Sequence, residues 1–409
     1  MSTRATGMKL LIAIAIGFLI GLVVGFALLY APSAIRTEAA SWLKALGDIF
    51  VRLIRIVIPP LIFFTISAAV ASIADLRKLG LVLLWMFVLY IGTSLVASIL
   101  GVVAGEVFQP GVGVGLTPPA GYTPPKPPSA IDILLSFFQL DFSGLLVVGG
   151  AMTMIIFAII LGIAVALLGD EGRKLYSFLK LASSVMITMV RVIMYYAPVA
   201  IFGYAAWLIA VYGPQMLGAY GKFLLAQYSL SFIHFFIVYS IVTMIGGLSP
   251  LKYFKIQSTP FLIAFTTRSS AVTLPYNMEA AKKMGIPDEV YQITLPVGAT
   301  VNMDGTALYQ ALSAIFVAQL FGIALTPLHI GLAVASAVIG SVATAAIPGG
   351  GTIMLAFVLG VTGLPLEGVG IMLVIDPIAD ALRTALNVSG DNACSVLITR
   401  IVGMKLRSS

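Results

Sequence analysis

The polar residues best placed to do chemistry lie in the last apolar segment of the sequence, at about 368–404. They follow one another at spacings of four, three, four and four residues, and are Asp376, Asp380, Arg383, Asn387 and Asp391. This spacing stacks them on one face of an α-helix. Three carboxylates against one guanidinium leave the face with a formal charge of −2. A self-contained ion-pair network is the simpler interpretation, but it needs cations from elsewhere, which bound metal ions would supply.

A second polar group interrupts the apolar segment at about 287–323 and runs from Asn302 to Thr306, NMDGT. Asn302 and Gly305 weaken a helix, so we expect an unwound turn here. Its free carbonyls would coordinate a hard cation beside the Asp304 carboxylate and the Asn302 amide oxygen. Met303 carries a soft thioether, and its residue type alone favours a gap-filling role in the core.

Other candidate chemistry is sparse. Tyr90, Thr93 and Ser94 place two hydroxyls within an otherwise apolar helix, where such groups often bond back to their own backbone. The single cysteine, Cys394, excludes an intramolecular disulfide, and two histidines leave no histidine-rich metal cluster. Redox chemistry is therefore not expected.

Composition identifies the environment that must hold these residues. The chain has 409 residues, of which 60% are hydrophobic and 10% charged, with a mean hydropathy of +1.08. A soluble protein carries about 25% charged residues, so this chain is expected to lie in a membrane. The formal net charge of +7 is attributed to cytoplasmic loops that fix orientation rather than to nucleic-acid binding.

Six apolar runs are each long enough to span a bilayer, at about 8–30, 45–74, 79–105, 143–168, 175–212 and 224–247. The first is interpreted as a retained helix because no signal-peptide cleavage site follows it. A Pro/Gly-rich connector from Gln109 to Ser129 is predicted to be an exterior loop. With the N-terminus in the cytoplasm, thirteen Lys and Arg residues lie inside and four outside, which satisfies the positive-inside rule.

Two later segments are predicted to be re-entrant hairpins. The segment at about 256–284 is split by Arg268, Ser269 and Ser270, and the segment at about 328–365 by the sequence Pro348–Gly351. Each half would reach only about 20 Å, short of a hydrocarbon core about 30 Å thick. Two kinked ordinary spans are the alternative, but they would expose Arg268 to lipid at a high cost.

Four motifs, in this order, resemble the dicarboxylate/amino acid:cation symporter family, which includes excitatory amino acid transporters and prokaryotic aspartate and glutamate transporters. They are RSS followed by TLP (Arg268–Pro275), GATVNMDGT (Gly298–Thr306), PGGG (Pro348–Gly351) and DPIADALRTALNVSGD (Asp376–Asp391). The resemblance covers essentially the whole chain.

The resemblance implies an all-α polytopic membrane protein with eight transmembrane helices, two re-entrant helical hairpins, inverted repeats, an elevator mechanism and a homotrimeric assembly. Residues 1–78 and 130–220 would form a scaffold of helices 1, 2, 4 and 5. Residues 79–107, which hold helix 3, and residues 221–409 would form a transport domain. Residues 108–129 would be the exterior loop. Both termini would be cytoplasmic, and the protein would lie in the plasma or inner membrane.

The substrate site implied by the resemblance centres on two residues. Arg383 would pair with the side-chain carboxylate of an acidic amino acid, in agreement with the fork geometry of a guanidinium, and Asp380 would hold its amino group. Arg268 would support the site electrostatically. The other implied substrate contacts are Ser269, Ser270, Thr306, Ile347, Gly351, Thr384 and Asn387.

The resemblance also implies three sites for co-transported Na⁺. The first would use carbonyls of Gly298, Asn302 and Asn387 with the Asp391 carboxylate. The second would use carbonyls of Thr300, Ser341, Val342 and Thr344 with the Met303 sulfur, and the third Tyr90, Thr93, Ser94, Asn302 and Asp304. Asp391 favours Na⁺ over H⁺, because proton-coupled and some dicarboxylate relatives tend to carry Asn there.

The predicted function is therefore sodium-coupled symport of L-aspartate or L-glutamate, without enzymatic activity. A proton- or sodium-coupled C4-dicarboxylate symporter of the same fold is the main alternative, and there Asp380 would face a second carboxylate. A neutral amino acid carrier would leave Arg383 without a partner. An intramembrane aspartyl protease needs paired carboxylates that share a proton, and an ion channel is a further, weaker alternative.

Overall fold

The computed structural model describes residues 3–75, 80–118, 151–344 and 349–407, and across these residues it is helical with no strand. The first eight helices are α1 (Thr3–Leu29), α2 (Ser33–Asp75), α3 (Gly80–Phe108), α4 (Ala151–Leu167), α5 (Gly172–Met194), α6 (Ala197–Tyr212), α7 (Gln215–Ile233) and α8 (Tyr239–Ile245). The remaining seven are α9 (Pro250–Thr267), α10 (Ser270–Met284), α11 (Asp288–Val301), α12 (Asp304–Leu320), α13 (Pro327–Val342), α14 (Gly350–Val361) and α15 (Glu367–Ile401). A π-helical turn, His234–Val238, joins α7 to α8.

Several helices are suited to a lipid bilayer. In the described part of the chain, five stretches are long and apolar enough to cross a membrane: Ile12–Leu29, Ser33–Ala68, Gly80–Phe108, Gly172–Met194 and Gln215–Ile245. Their outward side chains are large and hydrophobic, as at Val23 and Leu81, which are 68% and 62% exposed. The chain is a multi-pass membrane protein.

Some predicted boundaries differ from the structure. The run at 175–212 is two helices, α5 and α6, separated at Tyr195 and Tyr196. Pro198 is the second residue of α6, and a proline there has no N–H to continue the preceding helix. Helix α2 begins about twelve residues before the predicted start at 45, in a segment that an ion pair between Lys44 and Asp48 supports. Residues 119–150, with most of the predicted loop and the start of the fourth run, lie outside the described residues.

The helix breaks fall at the residues that the sequence singled out. Helix α9 ends at Arg268, which has a left-handed backbone with φ of 51°. Between α11 and α12, Asn302 and Met303 have ψ of 92° and 54°, so the helical hydrogen-bond ladder stops there. Helix α14 follows Gly349, whose φ is 79°. We name α9 with α10 the first hairpin and α13 with α14 the second hairpin, because the helices of each pair pack together.

Two seams of small residues bring helices into close contact. On α1, Gly17, Gly21 and Gly25 recur every four residues and lie against the backbone of α6. On α3, Gly101 lies against the Leu308 carbonyl of α12, and Gly105 lies against the Ile315 side chain of the same helix. Small residues at this spacing allow membrane helices to approach closely enough for dispersion contacts between backbones. The seams join α1 to α6 in one group of helices and α3 to α12 in another.

The two groups meet at an aromatic ring. Tyr204 of α6 lies between Gly47 of α2 and Gly370 of α15, and a Cβ on either glycine would overlap the ring. The Tyr204 hydroxyl donates to the Asp48 carboxylate at 2.7 Å. The Tyr204 ring therefore presents a flat, apolar surface to α15, while its hydroxyl is hydrogen-bonded to Asp48 of α2.

We predict that Gly101→Ala lowers the melting temperature in detergent, because the new methyl group would overlap the Leu308 carbonyl of α12. Overpacking of this kind costs about 1–3 kcal/mol. Gly92→Ala is the matched control on the same helix, since nothing lies within 4 Å of its Cβ position. An equal change in both variants would contradict the seam.

Candidate functional site

A small cavity is lined by residues beside the breaks of the two hairpins, at the break between α11 and α12 and in the middle of α15. Its lining residues are Arg268, Ser270, Met303, Thr306, Thr344, Gly351, Asp380, Arg383, Thr384 and Asn387. The cavity measures about 20 Å³, room for about one water molecule. Eight of the ten predicted substrate residues line it. Ile347 lies outside the described residues, and the Ser269 hydroxyl accepts from the Val272 N–H at 3.3 Å as the cap of α10.

Arg383 is the centre of the cavity wall and is only 2% exposed. Its Nε and Nη2 donate to Asp380 Oδ1 at 3.0 and 2.7 Å, and Nη2 also donates to Asp376 Oδ1 at 2.9 Å. The guanidinium lies 4.4 Å from the ring centroid of Tyr309. Its Nη1 has no partner in the described part of the chain. The guanidinium is thus fixed on two sides and keeps one nitrogen free to bind an anion.

Asp376 belongs to the polar face predicted on α15 but was given no role in the site. In the structure it shares Arg383 with Asp380 and accepts a hydrogen bond from the Thr352 hydroxyl of α14. Its position seven residues before Arg383, on the same face, was the available signal. Tyr309 and Thr352 are further members that sequence reasoning missed, because neither residue type is unusual in a membrane helix.

Asn387 organises the break between α11 and α12. Its Oδ1 accepts from the Gly305 N–H at 2.7 Å and the Thr306 N–H at 3.3 Å, so it satisfies the first amides of α12. Its Nδ2 donates to the Thr306 hydroxyl at 3.1 Å and contacts the Met303 sulfur at 3.3 Å. One amide on α15 therefore holds Met303 of the unwound turn and the first turn of α12 in place.

The first hairpin is attached to α15 by buried amides. Asn392 donates to Gln257 Oε1 of α9 at 2.9 Å and to Asn277 Oδ1 of α10 at 2.7 Å. Asn277 Nδ2 in turn donates to the Val388 carbonyl of α15 at 2.9 Å. These bonds fix both helices of the hairpin, and so place Arg268 and Ser270 at the cavity.

Asp304 is the centre of a polar group on the other side of the break. It is fully buried. Its Oδ1 accepts from the Thr93 and Ser94 hydroxyls at 3.0 and 2.9 Å. Its Oδ2 accepts from the Tyr239 hydroxyl at 2.8 Å and lies 3.2 Å from His234 Nε2. The structure thus brings together Thr93, Ser94 and Asp304 of the third predicted cation site, and the Thr93 hydroxyl also lies 3.3 Å from the Tyr90 carbonyl.

The π-helical turn explains how two residues of one helix reach Asp304. The Tyr239 N–H donates to the His234 carbonyl five residues earlier, so one wide turn of the helix separates the two residues. In a regular α-helix, residues five apart point in different directions. Such turns often occur at functional sites. Neither His234 nor Tyr239 was predicted to contact Asp304, because a π-turn has no recognisable sequence pattern here.

Asp391 lies at a third polar point. Its Oδ1 accepts from Asn302 Nδ2 at 3.0 Å, and a Cβ on Gly298 would lie 2.5 Å from the same oxygen. Only glycine allows the α11 backbone to approach Asp391 this closely. The Asn302 Oδ1 atom is buried without a partner in the described residues. The main residues of the first predicted cation site are therefore adjacent, with a free oxygen among them.

The second predicted cation site is less closely assembled. Met303 and Thr344 line the same cavity. The hydroxyls of Ser341 and Thr344 bond to their own helix, at the carbonyls of Val338 and Gly340. The Thr300 hydroxyl bonds likewise to the Val297 carbonyl, and Val342 is half-buried at the end of α13.

Oxygen ligands and buried carboxylates make this region suited to a hard cation next to an anion-binding guanidinium. Carboxylate, carbonyl and amide oxygens are the ligands that hard cations prefer. The free Arg383 Nη1 and the hydroxyls of the cavity are donors, which suit a carboxylate. The arrangement can therefore hold a small anionic molecule and cations within adjacent parts of one helix bundle.

Comparison with known proteins agrees with this chemistry. The model of the sodium:dicarboxylate symporter family matches residues 8–401. The chain is 29% identical to a proton/sodium-glutamate symport protein of Bacillus caldotenax over 397 residues, which cover 95% of this chain and 93% of that one. It is also 29% identical to a C4-dicarboxylate transport protein of Rhizobium leguminosarum over 401 residues, which cover 96% and 88% of the two chains. The chain belongs to the sodium:dicarboxylate symporter family, which is a family of transporters and not of enzymes.

Proposed function

We propose that the protein is a sodium-coupled symporter of acidic amino acids, L-aspartate or L-glutamate. The observation that carries this proposal is the position of Asp380, which lines the cavity beside Arg383. An acidic amino acid offers a carboxylate to the guanidinium and an ammonium to the carboxylate. A C4-dicarboxylate would bring a second negative charge towards Asp380, and like charges that are buried together are unfavourable.

Overall identity does not decide between these substrates. The relatives named as glutamate symporters are 28–29% identical to this chain, and those named as C4-dicarboxylate transporters are 28–30% identical. The residues of the cavity are therefore a better guide than identity, and the Asp380–Arg383 pair favours the amino acid.

Sodium is proposed as the coupled ion because two buried carboxylates lie outside the substrate cavity. Asp304 and Asp391 are each 1% exposed or less. Asp304 accepts from three hydroxyls, and Asp391 lies beside the Asn302 amide, whose Oδ1 has no partner in the described residues. A buried carboxylate is stabilised by a bound cation. The proposed sites share the unwound turn at Asn302 and Met303 with the substrate cavity, so binding at one position would favour the geometry needed at the other.

Transport would follow an elevator mechanism in a homotrimer in the plasma or inner membrane, with cytoplasmic termini. Helices α1, α2, α4, α5 and α6 pack mainly on one another and would form the scaffold. Helix α3 and the helices from α7 to α15 would move together as the transport domain. The Tyr204 ring between Gly47 and Gly370 would be a contact that breaks and re-forms during this movement.

The proposal is tested with purified protein in liposomes. We expect a sodium gradient to drive uptake of labelled aspartate or glutamate, and little uptake of succinate or serine, because only an acidic amino acid satisfies both Asp380 and Arg383. Uptake of succinate without uptake of either amino acid would overturn the substrate assignment. Uptake that does not depend on the sodium gradient would overturn the coupling ion.

We predict that Arg383→Ala weakens aspartate binding about 100-fold or more, because removal of one partner of a buried charged pair costs at least about 2–5 kcal/mol. Arg383→Lys keeps the charge but loses the planar fork and should also bind poorly. Arg400→Ala is the control on the same helix, since its side chain is exposed and donates to the Ile245 carbonyl. Calorimetry in saturating Na⁺ measures the affinity, and unchanged binding by Arg383→Ala would refute the assignment.

We predict that Asp391→Asn raises the Na⁺ concentration needed for half-maximal aspartate binding by about tenfold or more, because a neutral amide replaces a carboxylate ligand of similar shape. Asp170→Asn provides a control with an exposed carboxylate. The measurement is a Na⁺ titration at fixed aspartate concentration. If the Na⁺ midpoint and its steepness stay as in the wild type, Asp391 is not a cation ligand.

A further inference from the structure

We propose that Thr352 is a positioning residue for Arg383, and that its hydroxyl couples the location of α14 to the orientation of the substrate-binding guanidinium. The inference rests on the proposed function and names a residue that the substrate and cation assignments leave out. Thr352 is fully buried in the first turn of α14. It does not line the cavity, so its effect on a substrate would pass through other side chains.

The direction of the hydrogen bonds follows from the chemistry of the groups. An ionised carboxylate only accepts, so the single hydroxyl proton of Thr352 goes to Asp376 Oδ1. The Tyr309 hydroxyl, 2.8 Å from the Thr352 oxygen, must then be the donor. Asp376 Oδ1 also accepts from Arg383 Nη2, and Arg383 lies over the Tyr309 ring.

These four residues form a closed ring that joins three helices. Tyr309 belongs to α12, Thr352 to α14, and Asp376 and Arg383 to α15. The Thr352 hydroxyl is the only described member of the ring supplied by the second hairpin. A displacement of α14 therefore removes one donor from Asp376 and the acceptor from Tyr309 together.

The effect on Arg383 follows from the donors that Asp376 keeps. With the Thr352 hydroxyl present, Asp376 Oδ1 is shared between two donors, and Arg383 retains Nη1 without a partner. Without the hydroxyl, Arg383 is the remaining described donor, and the carboxylate can turn to take both guanidinium nitrogens. Such bidentate pairs are strong, so Asp376 would compete with the substrate carboxylate.

A second bond holds the same turn of α14. Gln310 Nε2 of α12 donates to the Gly351 carbonyl at 3.0 Å. This bond is made to the backbone of Gly351, which lies against the Arg383 guanidinium without a hydrogen bond to it. The two bonds therefore have different roles. The Gln310 bond attaches the turn to α12, and the Thr352 bond links the turn through Asp376 to the Arg383 guanidinium.

The test compares Thr352→Val, which keeps the shape and removes the hydroxyl, with Thr352→Ser, which keeps the hydroxyl. We expect Thr352→Val to bind aspartate about tenfold more weakly, since a hydrogen bond to a charged group contributes about that factor, and Thr352→Ser to stay near wild type. Thr362→Val is the matched control on the same hairpin, because within the described residues the Thr362 hydroxyl bonds to the Val358 and Leu359 carbonyls of its own helix. Binding is measured by calorimetry in saturating Na⁺, together with the melting temperature without substrate.

Tyr309→Phe provides a second variant that leaves the ring over Arg383 and removes the donor to Thr352. Its effect and that of Thr352→Val should be less than additive, because both break the same chain of bonds. Wild-type affinity in Thr352→Val, or an equal loss in Thr362→Val, would overturn the proposal. If Thr352→Val does not fold, Thr352→Ala, which also lacks the hydroxyl, takes its place, and wild-type affinity in that variant would do so.

The outcome remains distinct from that of the proposed function. If the wild-type protein binds succinate but neither aspartate nor glutamate, the substrate assignment fails. The same variants are then titrated with succinate, whose carboxylate needs the Arg383 guanidinium in the same way. Loss in Thr352→Val with recovery in Thr352→Ser would still support the positioning role.

Discussion

The structure depends on the need to balance buried carboxylates inside an apolar helix bundle. Removing an ion from water costs several kcal/mol unless partners replace the lost hydration. Arg383 neutralises part of the α15 face by binding Asp376 and Asp380 together. Asp304 and Asp391 receive hydroxyl and amide donors instead of a guanidinium. This difference separates a region suited to an anion from regions suited to cations, although all three lie within a few helical turns.

The helix breaks follow from the same constraint. A continuous helix satisfies its own backbone and leaves no groups for a ligand, whereas a broken one exposes amides and carbonyls at membrane depth. Here Asn387 of α15 accepts from the exposed amides at the start of α12, and Asn392 of α15 holds both helices of the first hairpin through their side-chain amides. Among the described residues, the second hairpin is held by fewer bonds to side chains, from Gln310 and through Thr352.

The sequence was most informative where charge or backbone-breaking residues are rare in an apolar chain. It predicted the family, the helical class, the polar face of α15 and the position of each break, because charged residues and clusters of Asn, Gly and Pro are costly at membrane depth unless they form a site or a helix break. It did not predict the partners of Arg383 across helices, the π-turn that aligns His234 with Tyr239, or the separation of α5 from α6. The partners of Arg383 and the π-turn depend on tertiary contacts between residues of ordinary type. The separation of α5 from α6 was missed because a proline such as Pro198 can either end a helix or lie inside one, as Pro59 and Pro60 do in α2.

The proposed coupling between ions and substrate would have a simple geometric basis in this arrangement. The turn at Asn302 and Met303 faces two ways: the Asn302 amide contacts Asp391, and the Met303 sulfur contacts Asn387 and lines the substrate cavity. Both residues precede the amides of α12 that Asn387 caps. A cation that fixes the Asn302 carbonyl and amide would also fix Met303 and Asn387, and so reduce the ordering needed when a substrate binds. Cooperative binding then needs no movement of distant parts, because one short unwound segment belongs to both sites.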